Sequence, residues 1–181
     1  MIGSPALVVM GVAGAGKSQL ARAVSARTGA TFIEGDDLHP PANVAKMAAG
    51  TALDDADREE WLERIGRQLQ RAGADGRFAV ATCSALKRRY RDRLRAAVPT
   101  VAFVYLRIDA TEAAARVAVR PGHFMPAQLV ASQFAALEPP TDEPAVLELD
   151  ATARPATLLA DVLAWWPQDA GADERGTPPR R

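Results

Sequence analysis

Gly11-Val12-Ala13-Gly14-Ala15-Gly16-Lys17-Ser18 follows the apolar run Ala6-Leu7-Val8-Val9-Met10 and opens into Gln19-Leu20-Ala21-Arg22-Ala23-Val24. The order is strand, tight loop, helix, the setting in which G-x-x-x-x-G-K-[ST] has a physical meaning. Glycines and alanines between Gly11 and Gly16 let the backbone curl until successive N–H groups face inward. They then form an anion-binding concavity at a helix N-terminus. Val12, Ala13 and Ala15 contribute backbone to this cradle, Lys17 is placed to reach the β- and γ-phosphates, and the Ser18 hydroxyl is placed to help hold Mg²⁺. The loop therefore predicts a bound nucleoside triphosphate and leaves the phosphate acceptor open.

Composition narrows the classes. At 181 residues the chain has the length of one domain with a real core. Its 22 Lys and Arg balance 22 Asp and Glu with no polybasic block, which argues against nucleic acid or an acidic membrane as the main partner. Cys83 is the sole cysteine, so neither an intrachain disulfide nor a cysteine-based metal site is available. The N-terminal apolar run is too short to span a membrane and lacks the basic start of a signal peptide, so a cytoplasmic, soluble protein is expected.

Outward from the loop, strands and helices alternate. Ala30-Thr31-Phe32-Ile33-Glu34-Gly35-Asp36-Asp37 reads as a short second strand ending in acids, before Leu38-His39-Pro40-Pro41 breaks the chain. Asn43 to Ala49 predicts a short helix stopped by Gly50. A longer helix follows, in which Trp61, Leu62, Ile65, Leu69 and Ala72 repeat at helical steps, with Asp57 as its N-cap and Glu60 at the capping-box position. Residues 36–76 thus form a helical excursion too long for a simple crossover, which suggests an inserted substrate-binding lobe.

Further strands are expected at residues 78–82, 101–106 and 145–150, and further helices at 87–97, 111–119, 128–137 and 155–166. Arg120-Pro121-Gly122-His123-Phe124-Met125-Pro126 is a candidate lid, about 116–127 in all, and the polar tail 167–181 is expected to be disordered. Five strands alternating with helices predict an α/β fold. It would be three layers, α/β/α, around a five-stranded parallel sheet, with ligands at the carboxyl ends of the strands. Residues 1–166 would form the one domain.

Candidate chemistry gathers at those strand ends. Phosphoryl transfer to an alcohol needs a group that orients the hydroxyl and takes its proton, and acids near Mg²⁺. Asp36 suits the first role and Glu34 the second, through water. His39, Lys46, Arg58, Ser84, Lys87 and Arg91 border the expected acceptor site and suit a polyhydroxylated anion. Arg89, Arg93 and Arg95 read as surface. Arg116 and Arg120, one helical turn apart, are placed to neutralise the transferring phosphoryl group. His123 is a candidate contact of the lid.

Several stretches together resemble the gluconate kinases. They are the loop Gly11–Ser18, Glu34-Gly35-Asp36-Asp37-Leu38-His39-Pro40, Asn43 with Lys46-Met47, and Leu53-Asp54-Asp55-Ala56-Asp57-Arg58 with Trp61-Leu62. Downstream come Cys83-Ser84-Ala85-Leu86-Lys87 with Tyr90-Arg91, then Gly122-His123-Phe124-Met125-Pro126 with Ser132-Gln133-Phe134 and Leu137-Glu138. The resemblance runs over residues 7–150, and it departs mildly at Ala13 and Ala15, where serines are common. It implies a P-loop NTPase fold like that of shikimate and nucleoside monophosphate kinases, ATP and Mg²⁺ as cofactors, and a homodimer. It also implies transfer of the ATP γ-phosphate to the 6-hydroxyl of gluconate, with Asp36 near that hydroxyl, Arg116 and Arg120 near the nucleotide, and Gln133 among the substrate contacts. Rival readings are a kinase of the same fold acting on shikimate or a nucleoside monophosphate, and a nucleotide-dependent switch without an acceptor.

Overall fold

The computed structural model describes residues 6–74, 76–119 and 127–166. Residues 120–126 of the expected lid, with Arg120 and His123, and the tail 167–181 expected to be disordered lie outside them. Strand β1 (Ala6–Met10) is buried along its whole length because both faces of the sheet are covered. Leu7 and Val9 point to one core, Ala6, Val8 and Met10 to the other, as a two-residue period requires.

The strands β2 (Thr31–Ile33), β3 (Ala79–Thr82), β4 (Val101–Arg107) and β5 (Val146–Asp150) complete a sheet in the order β2-β3-β1-β4-β5. Every pairing is parallel. From β1 the chain first builds to one side of the sheet and later to the other. The crevice at the carboxyl end of β1 is therefore a topological switch point, where ligands of open α/β sheets bind.

Helix α1 (Lys17–Thr28) ends at Gly29, whose φ of 73° closes the helix in the left-handed region. With α5 (Ala110–Ala118), α6 (Ala127–Ala136) and α7 (Pro155–Trp165) it covers the Leu7 and Val9 face. Helices α3 (Asp55–Ala74) and α4 (Arg88–Ala97) cover the opposite face through Trp61, Leu62, Ile65, Leu69, Tyr90 and Leu94. The result is the expected three-layer α/β/α arrangement. The short helix α2 (Pro41–Ala48) stands apart from both layers, anchored by the buried Asn43, whose Nδ2 donates to the Asp57 carbonyl at 2.7 Å.

The cap of α3 differs from the expected one. Asp54 accepts from the Asp57 N–H at 2.8 Å, and Asp57 accepts from the Asp54 N–H at 2.9 Å. This reciprocal box makes Asp54 the N-cap, three residues before the predicted one, and Asp57 takes the third helical position assigned to Glu60. Acids at both 54 and 57 satisfy the pattern, and the earlier one wins because the pair closes on itself. No helix among the described residues is long and apolar enough to cross a membrane.

Candidate active site

A cleft of about 1080 Å³ opens at the carboxyl end of the sheet. Phosphate-loop residues Ala13, Gly14, Gly16, Lys17 and Ser18 form one wall, and Glu34, Asp36 and His39 face it. Gly16 has φ of 90°, and a Cβ placed there would find open space. Its place needs glycine because of the backbone conformation. Gly11 and Gly14 also have positive φ, while Val12 and Ala15 are buried under the loop. Lys17 Nζ lies 2.9 Å from the Val12 carbonyl.

The acidic corner is set by packing at the end of β2. Gly35 lies so close to β3 that a Cβ would come within 1.9 Å of the Thr82 carbonyl oxygen, so only glycine fits. Its N–H donates to Thr82 Oγ1 at 2.9 Å, its carbonyl accepts from Trp61 Nε1 at 2.6 Å, and the Thr82 hydroxyl donates to the Glu34 carboxylate. A 3-10 turn over Gly35–Leu38 then replaces the extended run that the sequence predicts. It leaves Asp36 exposed along the cleft, its carboxylate accepting no hydrogen bond from the described residues. Glu34 is three-quarters enclosed or more, with a side chain 15% exposed and Arg22 3.6 Å away.

His39 stacks on Trp61 with ring centroids 4.3 Å apart and planes 11° from parallel. Burial pushes its pKa down from 6.5 to about 4, Asp36 opposing the shift and Arg58 adding to it. The imidazole is therefore neutral at pH 7 and can serve a hydroxyl group as donor or acceptor. Trp61 is 1% exposed, with its indole N–H already bonded and one face covered by His39. It is core, as its helical phase predicts.

Beside the cleft lies a smaller pocket of about 220 Å³ lined by Leu53, Asp55, Arg58, Lys87, Tyr90 and Ser132. Arg58 lines both spaces. Lys87 pairs with Asp55 at 2.8 Å, and Asp55 also takes the Tyr90 hydroxyl and Arg89. Arg116 pairs with Glu112 at 2.7 Å and donates to the Ala151 carbonyl at 3.0 Å, at the nucleotide side of the cleft. Arg58 has no carboxylate partner among the described residues; its guanidinium lies 5.8 Å from the centre of the Tyr90 ring.

Three expected acceptor contacts go elsewhere. Lys46 points to the outside of the lobe, held by both oxygens of Asp57 at 2.7 and 2.8 Å. Arg91 is fully buried, its guanidinium bonded to Glu143 and to the carbonyls of Ala85 and Leu86 at 2.9 and 3.1 Å. It supports the turn after β3, where Ala85 adopts φ of 43°, a left-handed conformation that costs a residue with a Cβ. Gln133 does reach the cleft, but its Oε1 accepts from the Ala13 N–H of the phosphate loop at 2.7 Å. Ser84 lines the cleft as predicted. Arg95, expected at the surface, is only 19% exposed, since it shares Glu143 with Arg91 and covers the Phe103 ring.

The sequence reading missed Glu143, Asp55 and Thr82. Glu143 lies 52 residues from Arg91 in a proline-bounded loop, and nothing local marks it as a partner. Burial alone would raise its carboxyl, but Arg91 and Arg95 outweigh that and hold it below the usual carboxylate range. Thr82 was findable as the polar last residue of an otherwise apolar strand.

Comparison with known proteins agrees with this layout. The family described as an AAA domain matches residues 7–140. A gluconokinase of Gluconobacter oxydans is 45% identical over 157 residues, covering 87% of this chain and 88% of its own. The thermosensitive gluconokinase of Escherichia coli is 43% identical over 144 residues, covering 79% of this chain and 77% of its own. The crystal structure of a gluconokinase from Sinorhizobium meliloti superposes with a TM-score of 0.80 at 41% identity, over 91% of this chain and 92% of that one. A phosphate loop alone would fit many kinases, but identity above 40% over 79–91% of the chain means that it belongs to the gluconokinase family.

Proposed function

We propose that the protein is an ATP-dependent carbohydrate kinase that transfers the γ-phosphate of ATP to the 6-hydroxyl of D-gluconate, giving 6-phospho-D-gluconate and ADP. The observation that carries this reading is the single cleft bounded by a complete phosphate loop, by the Asp36 carboxylate and by an arginine without an acidic partner among the described residues. Family membership at more than 40% identity points the same way.

In this reading the loop N–H groups and Lys17 hold the β- and γ-phosphates. Asp36 orients the primary hydroxyl and accepts its proton late in a loose transition state. Arg116, with Arg120 from outside the described residues, balances charge on the nucleotide. Neutral His39, Ser84 and the Lys87–Asp55 pair suit sugar hydroxyls, which need donors and acceptors together, and His123 is a further candidate. For the carboxylate the charge pairing selects Arg58. Lys46, Lys87 and Arg91 each already face an acid.

Magnesium fits the donors at hand. Mg²⁺ bound with a nucleotide takes most of its oxygens from phosphate and water. The Ser18 hydroxyl and, through water, the Glu34 carboxylate would supply the protein's share, and no group of three or more His, Cys, Asp or Glu residues among the described ones forms a dedicated cage. When bound, the ion neutralises charge that develops between the β- and γ-phosphates. We further propose that residues 1–166 act as one kinase unit, in the cytoplasm and as a homodimer.

The test is ADP release from the full chain with gluconate, other aldonates, shikimate and nucleoside monophosphates as acceptors. Gluconate should give the highest kcat/KM. Turnover with shikimate or a monophosphate but not with gluconate would replace the assignment by another acceptor. ATP binding with no acceptor-dependent turnover at all would favour a nucleotide switch.

A further inference from the structure

Helix α6 touches both halves of the cleft. Near its middle, Gln133 Oε1 takes the Ala13 N–H of the phosphate loop at 2.7 Å. Just past its end, the Glu138 N–H donates to the Leu86 carbonyl at 2.9 Å, and a Glu138 carboxylate oxygen accepts from the Arg88 N–H at 2.7 Å. The first contact is with the donor side, the other two with Leu86 of the Ser84–Lys87 turn that borders the acceptor and with Arg88, the first residue of α4, just beyond that turn. The helix is seated by buried Val130 one turn before Gln133 and by Phe134 after it, and Leu137 packs against both cores of the molecule.

The Ala13 contact is unusual in its direction. Phosphate-binding loops work by presenting backbone N–H groups to an anion. Here one N–H of the loop is taken by a neutral side chain from 120 residues away. That fixes the peptide between Val12 and Ala13, and with it the aim of the N–H groups that follow. A glutamine oxygen satisfies the N–H without adding a negative charge beside the phosphates, which a glutamate in the same place would do.

We infer that Gln133 is a positioning residue of the nucleotide site and that the C-terminal half of α6, through Gln133 within the helix and Glu138 just beyond it, ties the phosphate loop to the acceptor turn. The inference rests on the proposed gluconate reading only for its second half. Order imposed on one loop by its ligand is passed to the other, so each ligand should bind more tightly when the other is present, by the same factor.

The experiment measures binding of a non-hydrolysable ATP analogue and of gluconate, each alone and each in the presence of the other, by calorimetry on the full chain. Gln133→Met keeps the length and apolar seat of the side chain and removes the acceptor. It should weaken the analogue alone by about fivefold, the worth of one neutral hydrogen bond, and leave gluconate alone within twofold. In the unsubstituted protein each ligand should tighten the other by about fivefold, and in Gln133→Met that factor should fall toward one. Glu138→Ala should lower the same factor while sparing the analogue alone.

A gluconate-only defect in Gln133→Met would overturn the inference, because the residue would then belong to the acceptor site. So would unchanged analogue affinity, or the absence of mutual tightening in the unsubstituted protein. If Gln133→Met fails to fold, the unsubstituted chain and Glu138→Ala still decide the matter. Failure of the gluconate reading shows separately, as absence of gluconate turnover, and leaves the analogue measurement intact.

Discussion

Replacing Asp36 by asparagine keeps the shape of the side chain and its place in the 3-10 turn while removing the proton acceptor. Turnover with gluconate should fall by about two to four orders of magnitude, the range of general-base effects, with ATP KM little changed. Steady-state kinetics on the folded variant check this; a kcat near the original would remove Asp36 from the base role and leave the acceptor assignment standing. Arg91 and Glu143 make a different kind of pair. Both side chains are almost wholly buried, at 0% and 2% exposure. Arg91→Met alone leaves the buried Glu143 carboxylate with Arg95 as its remaining basic partner and should cost about 3 kcal/mol in urea unfolding, the low end for a broken buried pair. Replacing Glu143 by leucine as well should recover much of that loss, since breaking such a pair is more costly than replacing it by apolar packing. The Ala85 turn would remain without its guanidinium clamp, so gluconate KM should stay raised even in the more stable double variant.

Among the elements, those with strong periodicity were legible from residues alone. β1, β3 and β4 are buried apolar runs, and the α3 stripe from Trp61 to Ala72 matches its buried face. Gly29 closes α1 where a glycine after a helical run should. The phosphate loop and its acidic opposite were legible too, because strand ends in a parallel sheet converge on one edge. Side-chain destinations were not. Lys46, Lys87 and Arg91 look alike in sequence, and which acid each one meets depends on contacts across 11, 32 and 52 residues. The α3 cap was misread for a local reason: acids three residues apart can close a box in either of two registers, and spacing does not choose. Asp54→Ala should therefore destabilise the protein by about 1 kcal/mol, read by urea unfolding, whereas Glu60→Ala should have little effect on the helix start.

For the molecule as a whole, acid should weaken the fold in two stages. His39 titrates near 4 in the folded protein and near 6.5 when unfolded, so the unfolded chain holds more protons between those values. The stability linked to this difference is fully present above about pH 6.5 and is lost as the pH falls toward 4. Glu143 and Asp57 are held below their ordinary values of 4.5 and 3.8 by their basic partners, and their share is lost at lower pH still. A plot of Tm against pH should bend downward first below 6.5, and His39→Gln should flatten that first segment only. Cys83, at the end of β3, is 1% exposed, and burial lifts its thiol to about 12. As the chain's sole sulfhydryl, it turns the native protein into its own clock. The rate at which a thiol reagent consumes Cys83 counts excursions in which the sheet edge beneath the cleft comes apart, and slowing of that rate by nucleotide or acceptor would time how long each ligand keeps the site shut.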